Sequence, residues 1–160
     1  MLSSATAKTV WARKLRAIDG WFSPVLLLPG AALLMLLVYA ATRTTYWNVD
    51  LHGAQYKLAV ASSPTAQQKG LGSRTRLAAT EGMVFVFPNA DKRCFWMKDM
   101  HFSLDILWAD GAHKVVRIEH NVSPATYPKD FCASNAMYVF ELPSGTTDRQ
   151  HIHVGDQLKF

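Results

Sequence analysis

Lys98 and Asp99 stand side by side inside "CFWMKDM", residues 94–100, where two aromatic rings, two thioethers and a thiol share the same short stretch. Three kinds of chemistry fit that set. A lysine desolvated beside Trp96 in an apolar cleft becomes a base or a nucleophile. The same lysine, its stem lying along apolar surface, holds an anionic or sugar-like ligand while the indole stacks on it. The third reading is packing alone, with the aromatics serving a core and Lys98 paired to a carboxylate.

Carboxylates are the natural partners. Asp99, Asp105 and Glu141 all lie beside aromatic or aliphatic runs, and two carboxyls about 5 to 9 Å apart would suit glycoside hydrolysis. Asp105, between Leu104 and Ile106, reads better as a buried anchor for backbone amides, because a buried carboxylate needs satisfied hydrogen bonds. His151 and His153 in "HIH" share one face of any strand and could hold a metal with His101 or His120. Two histidines so spaced are common by chance, so no metal site and no cofactor is assigned. The chain lacks G-x-S-x-G, P-loop and HExxH signatures and any catalytic Cys/His motif.

The elements that would position these residues are mostly strands. On a strand, Phe95, Met97 and Asp99 point one way while Cys94, Trp96, Lys98 and Met100 point the other, so one face can enter a core and the other can line a pocket. "QYKLAVA" alternates with Tyr56, Leu58 and Val60 on one face, followed by a short helix with Ser63 as N-cap, Pro64 at its first position and Gly70 as its stop. "GMVFVFP" reads as a buried strand ended by Pro88, "CFWMK" as another strand, and "LDILWADGAHKVVRIEH" as a hairpin turning at Asp110-Gly111. Residues 121–135 form a long loop with two prolines. "AMYVFELPSG" and "GDQLKF" supply the last strands.

Charge and hydropathy separate the two ends of the chain. Of 160 residues with a net charge of +5, residues 1–43 hold Lys8, Arg13, Lys14, Arg16 and Arg43 against Asp19, a balance of +4. The remaining residues hold 12 basic against 11 acidic side chains. The basic balance therefore belongs to the N-terminus and not to a nucleic-acid surface. Residues 25–42, "VLLLPGAALLMLLVYAAT", carry no charge and would cover roughly 27 Å as a helix, against a hydrocarbon core of about 30 Å. Trp21, Phe22, Tyr39, Tyr46 and Trp47 suit the two interfaces, and Arg13, Lys14 and Arg16 should stay cytoplasmic, sending residues 43–160 outward. Val38 and Ala40 also satisfy the small-residue preference of a cleaved signal peptide, which remains the alternative to an anchor.

An outside location permits a disulfide between Cys94 and Cys132, the only cysteines; two buried, unpaired thiols are the other reading. Neither a CxxC spacing nor a nearby Cys/His quartet appears, so structural zinc is not expected.

"KGLGSRTRL", "EGMVFVFP", "FWMKDMHFSLDILWAD", "YVFELPSG" and "VGDQLKF" together resemble domain-of-unknown-function family 192, over residues 55 to 160. Its aromatic–methionine–lysine run matches Phe95, Trp96, Met97 and Lys98, and its leucine–aspartate step matches Leu104 and Asp105. The resemblance implies a compact, mainly β sandwich or barrel of jelly-roll type with one short helix, a secretion signal or single anchor, and no established activity. The chain departs at Asp99 and Met100, where the family usually has asparagine and a small hydroxyl residue, at Ser103 in place of proline, and at Gly72 and Ser73 in place of methionine and phenylalanine.

The expectation is a cytoplasmic basic segment at 1–23, a transmembrane anchor or signal peptide at 24–43, a linker at 44–54 and an extracytoplasmic β domain at 55–160. That domain would bind a small polar ligand, an envelope glycan or an envelope protein through Trp96, Lys98, Asp99, Asp105 and Glu141, without nucleic acid. It would sit at the inner membrane, or be periplasmic or secreted if cleaved. The alternatives are a small envelope hydrolase or transferase using Lys98 with Asp99, Asp105 or Glu141, and a structural envelope component.

Overall fold

The computed structural model of the chain describes residues 44–160, together with Gly30 and residues 32–35. Among the described residues no helix is long and apolar enough to cross a membrane. The expected anchor, basic segment and cleavage site fall outside the described residues, save Gly30 and residues 32–35, which are helical, with Leu33, Leu34 and Met35 exposed.

Strand β1 (Tyr46–Leu51) occupies the stretch expected to be a linker. Its alternation puts Val49 and Leu51 in the core, and it pairs antiparallel with β2 (Ala54–Ala61). The two-residue turn between them places His52 and Gly53 at φ +51° and +93°, the pattern of a hairpin turn whose twist matches its strands. Asp50 fixes it: Oδ1 accepts from the Gly53 amide at 2.8 Å and Oδ2 accepts from Gln55 Nε2 at 2.8 Å.

A helix at Pro64–Lys69 starts and stops as its residues dictate. Ser63 Oγ accepts from the Ala66 amide at 3.2 Å, Pro64 opens the first turn, and the Gly70 amide donates to the Ala66 carbonyl at 3.0 Å. The helix lies on the crossover from β2 to β3 (Glu81–Phe95), which run parallel; parallel neighbours need such a connection. Strands β4 (Leu104–Ala109), β5 (Val115–Val122) and β6 (Phe131–Pro143) complete one six-stranded sheet ordered β1-β2-β3-β6-β4-β5, antiparallel apart from the β2–β3 pair.

Both faces of that sheet carry buried apolar side chains, packed among its own strands and against loops and the C-terminal segment. On one face Met83, Phe85, Leu104, Ile106, Trp108 and Val139 pack under Leu71 and Met97. On the other, Val84, Leu107, Phe140 and Leu142 meet Val49, Leu51, Leu58, Ile152 and Leu158. This explains why β4 is buried at every position and is apolar at every position but Asp105. The mainly β expectation holds, whereas the sandwich or barrel of jelly-roll type does not. One sheet is present, the barrel is not closed, and a helical turn at Thr146–Arg149 and a 3₁₀ turn at Pro124–Thr126 join the expected short helix.

Other corrections are local. Strand β3 runs through Pro88 to Phe95, with the register against β6 slipping between Val86 and Asp91; an irregular register is where a strand tolerates proline. "CFWMK" is therefore the end of β3, and the chain leaves the sheet at Trp96. The β4–β5 hairpin takes its positive φ at His113, +64°, not at Asp110-Gly111, because Asp110 Oδ1 ties the loop by accepting from the Ala112 and Lys114 amides at 2.9 Å each. The expected loop at 121–135 is shortened, since β5 continues to Val122 and β6 starts at Phe131. The terminal "GDQLKF" makes only the isolated bridges Lys114–Gln157 and Asp50–Lys159 instead of a strand.

Candidate functional site

Glu141 carries the most unusual environment among the described residues. It lies on β6 between Met83 of β3 and Ile106 of β4, and only 5% of it is exposed. The backbone amide of Leu71 bonds its carboxyl, while Oε2 has no hydrogen-bond partner. Burial pushes its pKa up to about 8, and the Leu71 bond pulls weakly the other way. At neutral pH the group is therefore mostly a neutral acid with an O–H to donate.

The turn after the helix makes this possible. Gly70, at φ +51°, lets the chain pass close over the acid; a Cβ there would sit 3.4 Å from the Phe85 ring and 3.8 Å from Glu141 Oε2. Gln67 anchors the helix to the sheet, its Nε2 donating to the Val86 carbonyl at 2.9 Å and to that of Ala61 at 3.3 Å. Opposite, the segment after β3 turns at Asp99, φ +57°, and the Ser73 amide donates to the Asp99 carbonyl at 3.1 Å. The two loops are thereby joined around an opening.

Between them lies a cavity of about 200 Å³ whose lining includes Glu141, Phe85, Phe87, Phe95, Trp96 and Lys98. Phe85 and Phe95 meet edge to face with centroids 4.7 Å apart. Trp96 is 53% exposed at the lip, and Lys98 is exposed beside it. An adjoining hollow is shared by Trp96, Lys98, Lys69, Gly72, Ser73 and Asp99. Gly72 and Ser73, the departures from the family's bulkier pattern, contribute only small residues to this mouth.

Of the residues singled out from sequence, Trp96, Lys98 and Glu141 come together in one cavity and Asp99 sits at its edge. Met97 turns into the core, 2% exposed. Asp105 belongs to no part of this cavity. Its Oδ1 accepts from the Asn121 and Gly145 amides at 2.9 and 3.1 Å, and its Oδ2 from the Thr147 amide and hydroxyl at 2.9 and 2.8 Å. It ties β4 to the loops at one end of the sheet, the anchor that its setting between Leu104 and Ile106 suggests. Cys94 and Cys132, paired across β3 and β6, are joined as a disulfide. His120, His151 and His153 border a separate hollow, but no group of three or more His, Cys, Asp or Glu among the described residues is placed to hold a metal ion. The sequence reading omits Gln67, Lys69, Leu71, Phe85 and Phe87 from the site; "QQKGLG", a helix end followed by glycines, is the local signal for a loop closing over something.

These features define a class of small β domain: a single mixed sheet with an aromatic, acid-floored cavity under a helix-to-strand crossover. The chain belongs to DUF192, described as an uncharacterized ACR, which matches residues 47–160. It is similar to a crystal structure of a Sinorhizobium meliloti 1021 protein proposed as a transcription regulator, with 26% identity and a TM-score of 0.63, covering 73% of this chain and 96% of that one. It is also similar to a protein of unknown function from Novosphingobium aromaticivorans, with 27% identity and a TM-score of 0.65, covering 73% of this chain and 85% of that one. No curated protein matches the chain.

Proposed function

We propose that the domain binds a small polar ligand in the cavity floored by Glu141, from a position outside the cytoplasm where the N-terminal segment tethers it to the membrane. The observation that carries the binding reading is Glu141, buried with an unpartnered Oε2, in the lining of an aromatic-walled opening. Leaving such a group unsatisfied costs about 1–3 kcal/mol, and a ligand atom would recover part of it. Trp96 supplies a stacking face and Lys98 a mobile cation at the mouth. The tether is supported by the uncharged run at 25–42 behind Arg13, Lys14 and Arg16. An envelope glycan end or a metabolite fits this reading better than an envelope protein, because the opening is small.

The hydrolase or transferase alternative has less support. No second carboxylate lines the cavity with Glu141, and Lys98 lacks the enclosure that turns a lysine into a base. A ligand screen on the wild-type chain and on Trp96→Ala and Lys98→Ala tests the proposal. Both variants alter exposed side chains and should fold, and both should lose affinity for any ligand found. Equal binding by all three would sink the site.

A further inference from the structure

The cavity constrains its occupant by size, shape and charge. At about 200 Å³ it falls below the roughly 300–1,000 Å³ of pockets that hold drug-sized molecules, which suits one ring and not a chain of rings. Its walls are the rings of Phe85, Phe87, Phe95 and Trp96. On its outer side the Phe87 ring is faced by the Arg93 guanidinium, 4.1 Å from the centroid. Flat walls of this kind pack against the face of a sugar or an arene.

Polar groups meet the ring at two levels. At the floor, Glu141 Oε2 lacks a partner, and in a site that disfavours charge it is a donor seeking an acceptor. Lys69 and Lys98, both exposed, line the opening, with Asp99 beside them in the adjoining hollow. Among the described residues neither lysine makes an ion pair with a carboxylate; the pairs present involve His52, Arg117, His120 and His153. A donor at the floor and two unpaired cations at the mouth both call for oxygen acceptors carrying negative charge.

We infer that the Glu141 cavity takes a single-ring molecule bearing an ionised carboxylate, which accepts from the Glu141 carboxyl at the floor while the lysines at the mouth supply the positive field that draws the anion in. The inference rests on the ligand-binding reading above and narrows it to ring carboxylates, of which uronic sugars and aromatic acids are the two sources. A hydrogen bond from a neutral acid to a carboxylate is charge-assisted and among the stronger kinds. A cationic amine is the opposite solution, since aromatic walls with an ionised Glu141 would also receive it, but it would have to pass two lysines.

Calorimetric titration of the full chain with glucuronate, benzoate, glucose and tetramethylammonium between pH 6 and pH 9.5 separates these cases. Glucuronate or benzoate should bind at pH 6 to 7, and whichever is tighter identifies the source. Because binding needs the Glu141 proton, affinity should fall toward tenfold per pH unit above about pH 8. Glu141→Gln keeps a donor that does not titrate, so it should retain binding within a few-fold and lose that fall. Lys98→Ala, a surface change that leaves folding intact, should weaken carboxylate binding roughly two- to fivefold, the scale of one solvent-exposed charge. Glucose binding as well as glucuronate, tetramethylammonium binding best, carboxylate binding that strengthens through pH 8, or no carboxylate binding at millimolar concentration would each overturn the inference. The broader reading survives any of these if another ligand still depends on Trp96, and falls with the inference if none does.

Discussion

Asp105 receives four hydrogen bonds, three from backbone amides and one from the Thr147 hydroxyl, whereas Glu141, one register position away across β4 and β6 and also buried, receives one and leaves an oxygen bare. The consequences for stability are opposite. Removing Asp105 strands several donors at once, so Asp105→Ala should destabilise the fold by about 3–5 kcal/mol, read from chemical denaturation at neutral pH. For Glu141 the folded pKa, about 8, lies above the unfolded value, so between those two the folded state holds the extra proton. Unfolding therefore becomes easier as pH rises from about 4.5 to about 8, and the loss is complete above the folded pKa. Glu141→Gln removes the proton linkage. It should flatten the stability profile across that window and be the more stable protein at pH 8, by on the order of 4 kcal/mol if the carboxylate would otherwise be buried charged. A wild-type profile that rises through the same window would contradict the assignment of Glu141 as a neutral acid.

Where β2, β3 and β6 run side by side, the sheet depends on one absent side chain. A Cβ on Gly82 would lie 2.5 Å from the Glu141 carbonyl oxygen and 2.9 Å from Leu58 Cδ2; the first of these is backbone and cannot swing aside. Gly82→Ala should cost about 1–3 kcal/mol or more by overpacking, and because the displaced atom belongs to Glu141, it should also disturb the cavity floor, visible as weaker ligand binding in the residual folded protein. The elements themselves were readable to different depths. The helix at 64–69 was fully legible because Ser63, Pro64 and Gly70 each act through local backbone bonds. Strand β1 is hard to read although Trp47, Val49 and Leu51 alternate, since Asn48 and Asp50 between them resemble linker residues and only burial against Leu158 and Tyr56 reveals the pattern. The path of β3 past Pro88 depends on its pairing with β6, a long-range fact. For the site, side-chain type points to Trp96, Lys98 and Glu141, and the apolar neighbours of Asp105 mark it as a buried anchor; which amides it holds, those of residues 121, 145 and 147, is a long-range fact that no local pattern supplies.

At the scale of the whole chain, which divides after Arg43, two features must agree about compartment. One is the charge asymmetry: +4 over residues 1–43 against +1 over the rest, which under the proposed tether would, by the positive-inside rule, keep Arg13, Lys14 and Arg16 in the cytoplasm and send the β domain across. The other is the Cys94–Cys132 disulfide, a bond that persists in oxidising surroundings and is rare in the cytosol. They rest on unrelated physics, membrane insertion energetics in one case and thiol redox poise in the other. If the orientation is right, protease added to intact spheroplasts should digest residues 46–160 while a cytoplasmic marker survives, and non-reducing mass spectrometry of the native chain should find the two cysteines joined. Closing the 38-residue separation should contribute about 3–4 kcal/mol through the unfolded state, so Cys94→Ser with Cys132→Ser should unfold at lower denaturant even where the wild type is oxidised. Protection of residues 46–160 together with free thiols would place the domain in the cytosol. The ligand would then have to be a cytoplasmic metabolite, since no envelope component could reach the cavity.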